Sequence, residues 1–586
     1  MKKIIMVLTL ALSVFYADAQ TAEIKNVTKL GFNGLNRIDD NGYYVQYIEG
    51  QEGWKKDATK FMHLYMINND LSIKTDFTFE LKRDEKIEDV SINGESIFII
   101  TSNSRLRNRI FRILDASGQI KSEKVFEKVK YSLLKKPAII LPVENENFVV
   151  INFVKEKKVG YNISLLNNLL EEQYSSNQIP EKKKLYPVDF LMDNGKLYIL
   201  EFLTPSMSDY FEYHIAVFNA NSGELISKNQ LRNEAENNSG FATFIKKNPQ
   251  GGLITGGMYF KGNRTKNANS DGFFAAKVDT EGDFSFNTTT WKTVMESLKD
   301  ESTNAFWGGK TKVFMQDLSI NPDGSFVLIG ENYRKGSSDL AGGKSQTTMG
   351  KVNRIAKMSG TVEDDSETAL TVSEYAVFEF DKDANFVSAN KFEKPFSVTI
   401  VKTDPENPPY SGQMKGLNLA NILNNYGYFP YRFVASVDNQ QYLISQFTFE
   451  KKKEELIGFT PLFGENHQTT TMDITSGEFK VRLAQENKAM ESLGGLGRLA
   501  KKADKMDNAI NQNENENQIT ILKSHDPYDY RAKNTVRRVI PANIGGKVLV
   551  YDFIPDAELV ENGTYKYNFS RIPGVLKLTY IDIPKN

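Results

Sequence analysis

Short runs of aliphatic, β-branched and aromatic residues, each introduced by a tight polar turn, recur along this sequence. Asn41-Gly42 precedes Tyr43-Tyr44-Val45, Asn93-Gly94 precedes Ile97 to Ile100, and Asn145-Glu146-Asn147 precedes Phe148-Val149-Val150. The series continues with Asp193-Asn194-Gly195 before Leu197 to Leu200, Gln250-Gly251-Gly252 before Leu253-Ile254-Thr255, and Pro322-Asp323-Gly324 before Phe326 to Ile329. Asp438-Asn439 before Tyr442-Leu443-Ile444 and Gly545-Gly546 before Val548-Leu549-Val550 complete it. Each pair predicts a turn feeding a buried strand. A second set of turns, Asp115 to Gly118, Phe218 to Gly223, Val278 to Gly282 and Phe380 to Asn385, predicts further hairpin ends within the same units.

The spacing is nearly constant at first: Gly42 to Gly94 is 52 residues, Gly94 to Asn145 is 51, Asn145 to Gly195 is 50 and Gly195 to Gly252 is 57. Ile97 to Ile100 and Leu197 to Leu200 are apolar throughout, which predicts sheets covered on both faces. A period near fifty with about four strands per unit predicts an all-β fold, a β-propeller of seven or eight blades. The alternative is two β-sandwich domains in series.

Later in the chain the intervals lengthen. Gly324 to Asn439 is 115 residues and Asn439 to Gly546 is 107, so insertions are expected there, on the side of the repeats where binding usually sits. The first, 341–371, is rich in Gly, Ser, Thr and charge and reads as a loop. The second, 483–518, turns helical: Leu493, Leu496, Leu499, Ala503, Met506 and Ile510 recur at three- and four-residue steps, and the polar tract Asn511 to Gln518 follows. Its basic and acidic residues nearly balance, which fits a small helical hairpin better than a membrane-surface helix. Another short helix is expected at Trp291 to Leu298.

The first twenty residues read as a signal peptide rather than as part of the fold. Lys2 and Lys3 precede the apolar stretch Ile4 to Tyr16, and Ala17-Asp18-Ala19 supplies the small residues of a cleavage site before Gln20. The apolar stretch is shorter than the roughly twenty residues that cross a bilayer, and no later segment is long enough. An exported chain, periplasmic or extracellular, with a β-propeller domain over 21–586 is therefore the expectation.

Composition narrows the functions. With no Cys among 586 residues, thiolate nucleophiles, zinc ribbons, iron–sulfur clusters and disulfides are excluded. A formal net charge of -1 lacks the basic excess of a nucleic-acid binder. The four histidines, His63, His214, His467 and His525, are far apart and form no spaced ligand pair, so no metal or other cofactor is implied. Gly343-Lys344-Ser345 has Ser338 where a phosphate-binding loop needs its first Gly, and Asp381 to Asn385 has Phe386 where a calcium loop needs Gly.

Two constellations stand out as candidate ligand-binding sites. Tyr426, Tyr428, Tyr431 and Arg432 lie in an eight-residue aromatic stretch suited to stacking on a sugar ring or anchoring a partner, though a core strand explains the same residues. His525, Asp526 and Asp529 bring an imidazole beside two carboxylates, an arrangement that a polar turn also explains.

The signal ending in Ala19-Gln20 and the repeated Asp-x-x-Gly hairpins resemble the uncharacterised secreted β-propeller-like proteins of Bacteroidota. That resemblance implies a fold and no catalytic residue. The expected function is an exported, non-catalytic propeller that binds a protein or glycan of the cell envelope through its insertion-bearing face. The alternative is a carbohydrate-active hydrolase or lyase with an acidic central pocket.

Overall fold

The all-β expectation holds in the computed structural model, which describes residues 21–555 and 573–582 with interruptions. The longest interruptions are 50–58, 298–311, 338–366, 403–415, 460–467, 484–517 and 523–536. The strands form eight sheets in which chain neighbours are mostly antiparallel sheet neighbours. In chain order, the first holds Leu35–Arg37, Tyr43–Ile48, Lys60–Ile67 and Ile73–Leu81, and the second Glu85–Asn93, Ser96–Asn103, Asn108–Leu114 and Ile120–Phe126. The third holds Ile139–Val143, Asn147–Lys155, Val159–Leu166 and Glu172–Gln178, and the fourth Lys184–Asp193, Lys196–Thr204, Glu212–Asn219 and Leu225–Gln230. The fifth centres on Asn238–Ala242, Leu253–Lys261, Gly272–Val278 and Phe284–Thr290, and the sixth on Lys312–Ile320, Phe326–Ser337 and Glu367–Phe380. The seventh is the meander from Tyr431–Asp438 to Glu478–Leu483. The eighth joins Arg537–Pro541, Lys547–Pro555 and Gly574–Asp582 to Thr21–Val27.

Contacts divide the chain into two units. One comprises residues 1–87, 114–120 and 535–586, the other 88–113 and 121–534. In the first unit, Thr21 to Val27 pairs with the strand at 574–582, and the hydroxyl of Tyr580 meets that of Tyr43 at 3.2 Å in a core that includes Tyr47, Leu549 and Leu578. In the second unit the inner strands are buried on both faces, as at Ser96–Asn103, while the fourth strand of a sheet is open, as at Ile120–Phe126. The continuous apolar runs of the sequence are therefore the middle strands, and the mixed runs are the outer ones.

The predicted turns that are described fall where the sequence placed them, and Asn439 and Gly545-Gly546 lie outside the described residues. Asn194 and Gly195 (φ 47° and 70°) take the left-handed pair of angles that closes a two-residue hairpin with the twist of its strands, and Asn145 and Glu146 (φ 61° and 56°) take the same pair within the three-residue turn 144–146. At Gly252 (φ +75°) a Cβ would lie 2.1 Å from the carbonyl oxygen of Val278, so the backbones approach as only glycine allows. The expected helix at Trp291 is present as Trp291–Ser297, and the helix Gly416–Asn425 is additional. Residues 367–371, placed in a loop by composition, begin the long strand Glu367–Phe380, whose register with Phe326–Ser337 runs from Ser337↔Thr368 to Phe326↔Phe380. The rest of that loop, and 484–517 of the helical segment, lie outside the described residues.

In the second to sixth sheets the longest connections gather at one end, which also carries the short ones at 104–107 and 156–158. Antiparallel order puts the turns between strands one and two and between strands three and four together at the other end, and all of these but 243–252 have five residues or fewer. There, polar side chains of one sheet bond the turns of the next. Asn93 Nδ2 donates to the carbonyls of Val143 (2.5 Å) and Asn147 (2.9 Å), Gln250 Nε2 to that of Asp323 (2.7 Å), and Asn321 Nδ2 to the hydroxyl of Tyr442 (2.6 Å). The connections between strands two and three, and those leaving strand four, fall at the opposite end and include every long one from 127–138 to 403–430.

An aspartate device ties neighbouring sheets together. Asp89 accepts from its own successor, the Val90 amide, at 2.9 Å, and from the Ile140 amide of the third sheet at 2.7 Å. Asp189 accepts from the Phe190 amide at 2.9 Å and from the Ile245 amide, entering the fifth sheet, at 2.8 Å. Asp317 accepts from the Leu318 amide at 2.9 Å and from the hydroxyl of Tyr431 at 3.0 Å, with Lys246 Nζ at 2.9 Å. Asp189 and Asp317 sit at bulges of their strands, which turn the carboxylate out of the ladder towards the next sheet. Burial raises the Asp89 carboxyl to about 6 and Asp189 in the same direction, in each case against the lowering effect of the amide bonds.

Candidate functional site

The richest cluster of ionisable side chains at the long-connection end is assembled by the fourth sheet. In Tyr210-Phe211-Glu212-Tyr213-His214 the alternation of a strand sends Phe211 and Tyr213 into the core beside Phe241, and puts Tyr210, Glu212 and His214 on the opposite face. Lys183 reaches that face from the residue preceding the sheet's first strand. Its ammonium pairs with Glu212 and donates to the Tyr210 hydroxyl at 2.9 Å, lying 4.8 Å from the centre of that ring. Tyr210 in turn donates to Glu212 Oε2 at 2.5 Å, and His214 Nε2 stands 2.7 Å from Glu212 Oε1.

Three partners hold one carboxylate. The hydrogen bond from His214 leads in keeping the Glu212 carboxyl far below the usual carboxylate range, against the opposing effect of burial. Burial acts to lower the Lys183 ammonium, but its bonds to Glu212 and Tyr210 together raise it. His214 Nδ1 is buried and without a hydrogen-bond partner among the described residues.

The cluster continues inward. His214 is paired in register with Glu201, whose side chain is fully buried. Glu201 receives the hydroxyl of Tyr161, from the third sheet, and an ion pair from Lys228 at 2.6 Å. Burial, with the Glu201 charge second, drives Tyr161 well above the usual phenol range, so it stays a donor. A polar seam thus runs between the third and fourth sheets, from Lys183 with a third of its side chain exposed to Glu201 with none.

This arrangement can orient and bind polar groups. Hydrolysis of a glycoside by paired carboxylates needs one of them to keep its proton near neutrality, and Glu212 is displaced in the opposite direction. Among the described residues no group of three or more His, Asp or Glu is arranged to hold a metal ion, and no helix is long and apolar enough to cross a membrane.

The residues singled out from sequence fall elsewhere. Tyr431 is buried in the core of the sixth and seventh sheets, with its hydroxyl on Asp317. Arg432 Nη1 donates to the carbonyls of Phe429 (2.7 Å) and Tyr431 (2.9 Å). Tyr426, Tyr428, His525, Asp526 and Asp529 lie outside the described residues. None of Lys183, Tyr210, Glu212, His214 or Glu201 belongs to those motifs. The available signal was the every-second-residue spacing of Tyr210, Glu212 and His214 on a strand.

The fold and seam define an all-β protein of successive antiparallel sheets with a polar seam between two of them. The chain belongs to a family of unknown function (DUF6770), whose profile matches residues 1–468. No curated protein matches. Among solved structures the chain is similar to the polysaccharide lyase Uly1, at 8% identity and TM-score 0.35 over 84% of this chain and 90% of that one. It is also similar to prolyl oligopeptidase B from Galerina marginata, at 9% identity and TM-score 0.34 over 79% and 51%. The β-propeller domain of the Trilobed protease from Pyrococcus furiosus matches at 14% identity and TM-score 0.27 over 52% and 81%.

Proposed function

We propose that this chain is an exported, non-catalytic binding protein whose eight sheets are the blades of a β-propeller, and that it recognises a glycan or protein of the cell envelope through the end bearing the long connections. The observation that carries this reading is the division of labour between the two ends of the sheets. One end is sewn to its neighbours by turns and polar bonds, which leaves it rigid and occupied. The other carries the longest connections and the polar seam from Lys183 to Glu201.

The commitment of the seam's carboxylates and phenols supports binding over catalysis. Glu212 is held ionised by three donors, and Tyr161 and Tyr210 are committed to carboxylates, so these groups offer a fixed pattern of donors and acceptors rather than a proton to transfer.

The test is a glycan and envelope-protein array probed with the mature chain, run beside a screen for cleavage of the same glycans. Retention of a ligand, weakened several-fold by a Lys183→Met, His214→Ala double variant, is the expected result. Cleavage of any glycan overturns the non-catalytic reading.

A further inference from the structure

The charges of the second and third sheets are sorted by end. Their tight turns at 94–95, 144–146 and 167–171 hold Glu95, Glu144, Glu146 and Glu171 and not one Lys or Arg. The other end, over the described residues of 104–107, 127–130 and 155–158, holds Arg105, Arg107, Lys128, Lys130, Lys155 and Lys158 against Glu127.

Those three segments are also knit into one surface. The Val129 amide donates to the Arg107 carbonyl at 2.8 Å, Arg107 Nε to the Val129 carbonyl at 3.4 Å, and Lys130 Nζ to the Lys155 carbonyl at 3.1 Å. Arg107 and Lys128 both take left-handed backbone angles (φ 56° each), which β-carbon-bearing residues rarely adopt, and so the two connections are held in a defined shape. Arg107, Lys128, Lys130, Lys155 and Lys158 are exposed and have no carboxylate partner among the described residues.

We propose that this basic end of the second and third sheets binds an acidic polysaccharide, carboxylated or sulfated. The inference rests on the reading of the long-connection end as the binding end and names the ligand class. Five cations on three segments exceed what a small anion can engage at once, whereas a chain with regularly repeated charges meets several together. A lipid surface is the poorer match, because a membrane-lying element needs an apolar face and Leu106, 60% exposed, is the one large apolar side chain exposed on these connections among the described residues. A nucleic acid is poorer too: Phe126, packed on Phe111 with ring centres 4.7 Å apart, offers a single half-open ring at the edge of the patch rather than a row of stacking platforms.

The experiment measures binding of the mature chain to polygalacturonate and dextran sulfate, with neutral dextran, anionic phospholipid vesicles and duplex DNA as comparison probes, across a salt titration. The variant is the triple Lys128→Gln, Lys155→Gln, Lys158→Gln. A second triple, Lys25→Gln, Lys74→Gln, Lys382→Gln, removes the same charge elsewhere, and thermal melting checks that both fold. Expected are binding to the acidic polymers but not to neutral dextran, affinity falling with salt, and a loss of about tenfold or more for the first triple with little change for the second. Equal binding by both triples, or equal binding to dextran, overturns the charge assignment while leaving a binding protein. Preference for vesicles or DNA overturns the ligand class. Failure to bind any probe here or on the array overturns both readings.

Discussion

Two carboxylates with opposite displacements make the residue scale testable. Asp89 has its folded value raised to about 6, above the roughly 3.9 of an unfolded aspartate. Its protonated form is thus favoured by folding, and its contribution is full below about pH 4 and lost as pH rises to about 6. Asp89→Asn removes that slope while leaving the Val90 or Ile140 amide without an acceptor. Denaturant titrations should show the variant less stable by about 1–3 kcal/mol, with the gap narrowing between about pH 4 and 7. Glu212 runs the other way: its lowered value gives stability present above the unfolded value near 4.3 and lost as pH falls through the folded one. Glu212→Gln should cost about 2–4 kcal/mol near neutrality, because Lys183 and His214 lose their shared partner, and the cost should fade in strong acid. The sequence held a trace of the first group. Asp89, Asp189 and Asp317 each stand four positions before the Asn or Asp that opens the tight turn, at Asn93, Asp193 and Asn321. That spacing is informative only once the sheets are known to abut, since the bond it encodes reaches a residue some fifty positions on.

At the scale of elements, turns and strands were legible because their causes are local. A left-handed pair such as Asn194-Gly195 has its own residue signature, and a strand buried on both faces has to be apolar throughout. Gly252→Ala is the direct check: the new methyl would collide with the Val278 carbonyl at a positive φ, and a loss of about 2–4 kcal/mol is expected by thermal or denaturant melting. The polar seam was not legible, because Glu201, His214 and Tyr161 come from three strands of two sheets and Lys183 from the residue before a fourth strand, and they meet only through register and the packing of the two sheets. Composition also misassigned 367–371. Polar Glu367, Thr368 and Thr371 read as loop, but pairing with Phe326–Ser337 supplies the backbone partners that propensity alone does not reveal.

At the scale of the whole molecule, the succession of small antiparallel sheets was legible from a ruler of near-constant turns, and the ruler failed where connections such as 338–366 and 403–430 intervene. Two units defined by contacts imply two unfolding steps. Deleting residues 573–586 removes the partner of both Thr21–Val27 and Lys547–Pro555. Calorimetry of that truncation should show the transition of the first unit lost or lowered by ten degrees or more, on the order expected for removing a central strand, with that of the second largely kept.

The contact between Tyr43 and Tyr580 spans 537 positions. During synthesis the segment around Thr21 therefore emerges hundreds of residues ahead of the strand that will cover it, and for that interval it is an unsatisfied template for any extended neighbour, including the same segment of another nascent copy. A chain built this way gains from being kept extended by a holding chaperone until translation is nearly finished, and its yield should fall with expression rate sooner than its equilibrium stability would suggest.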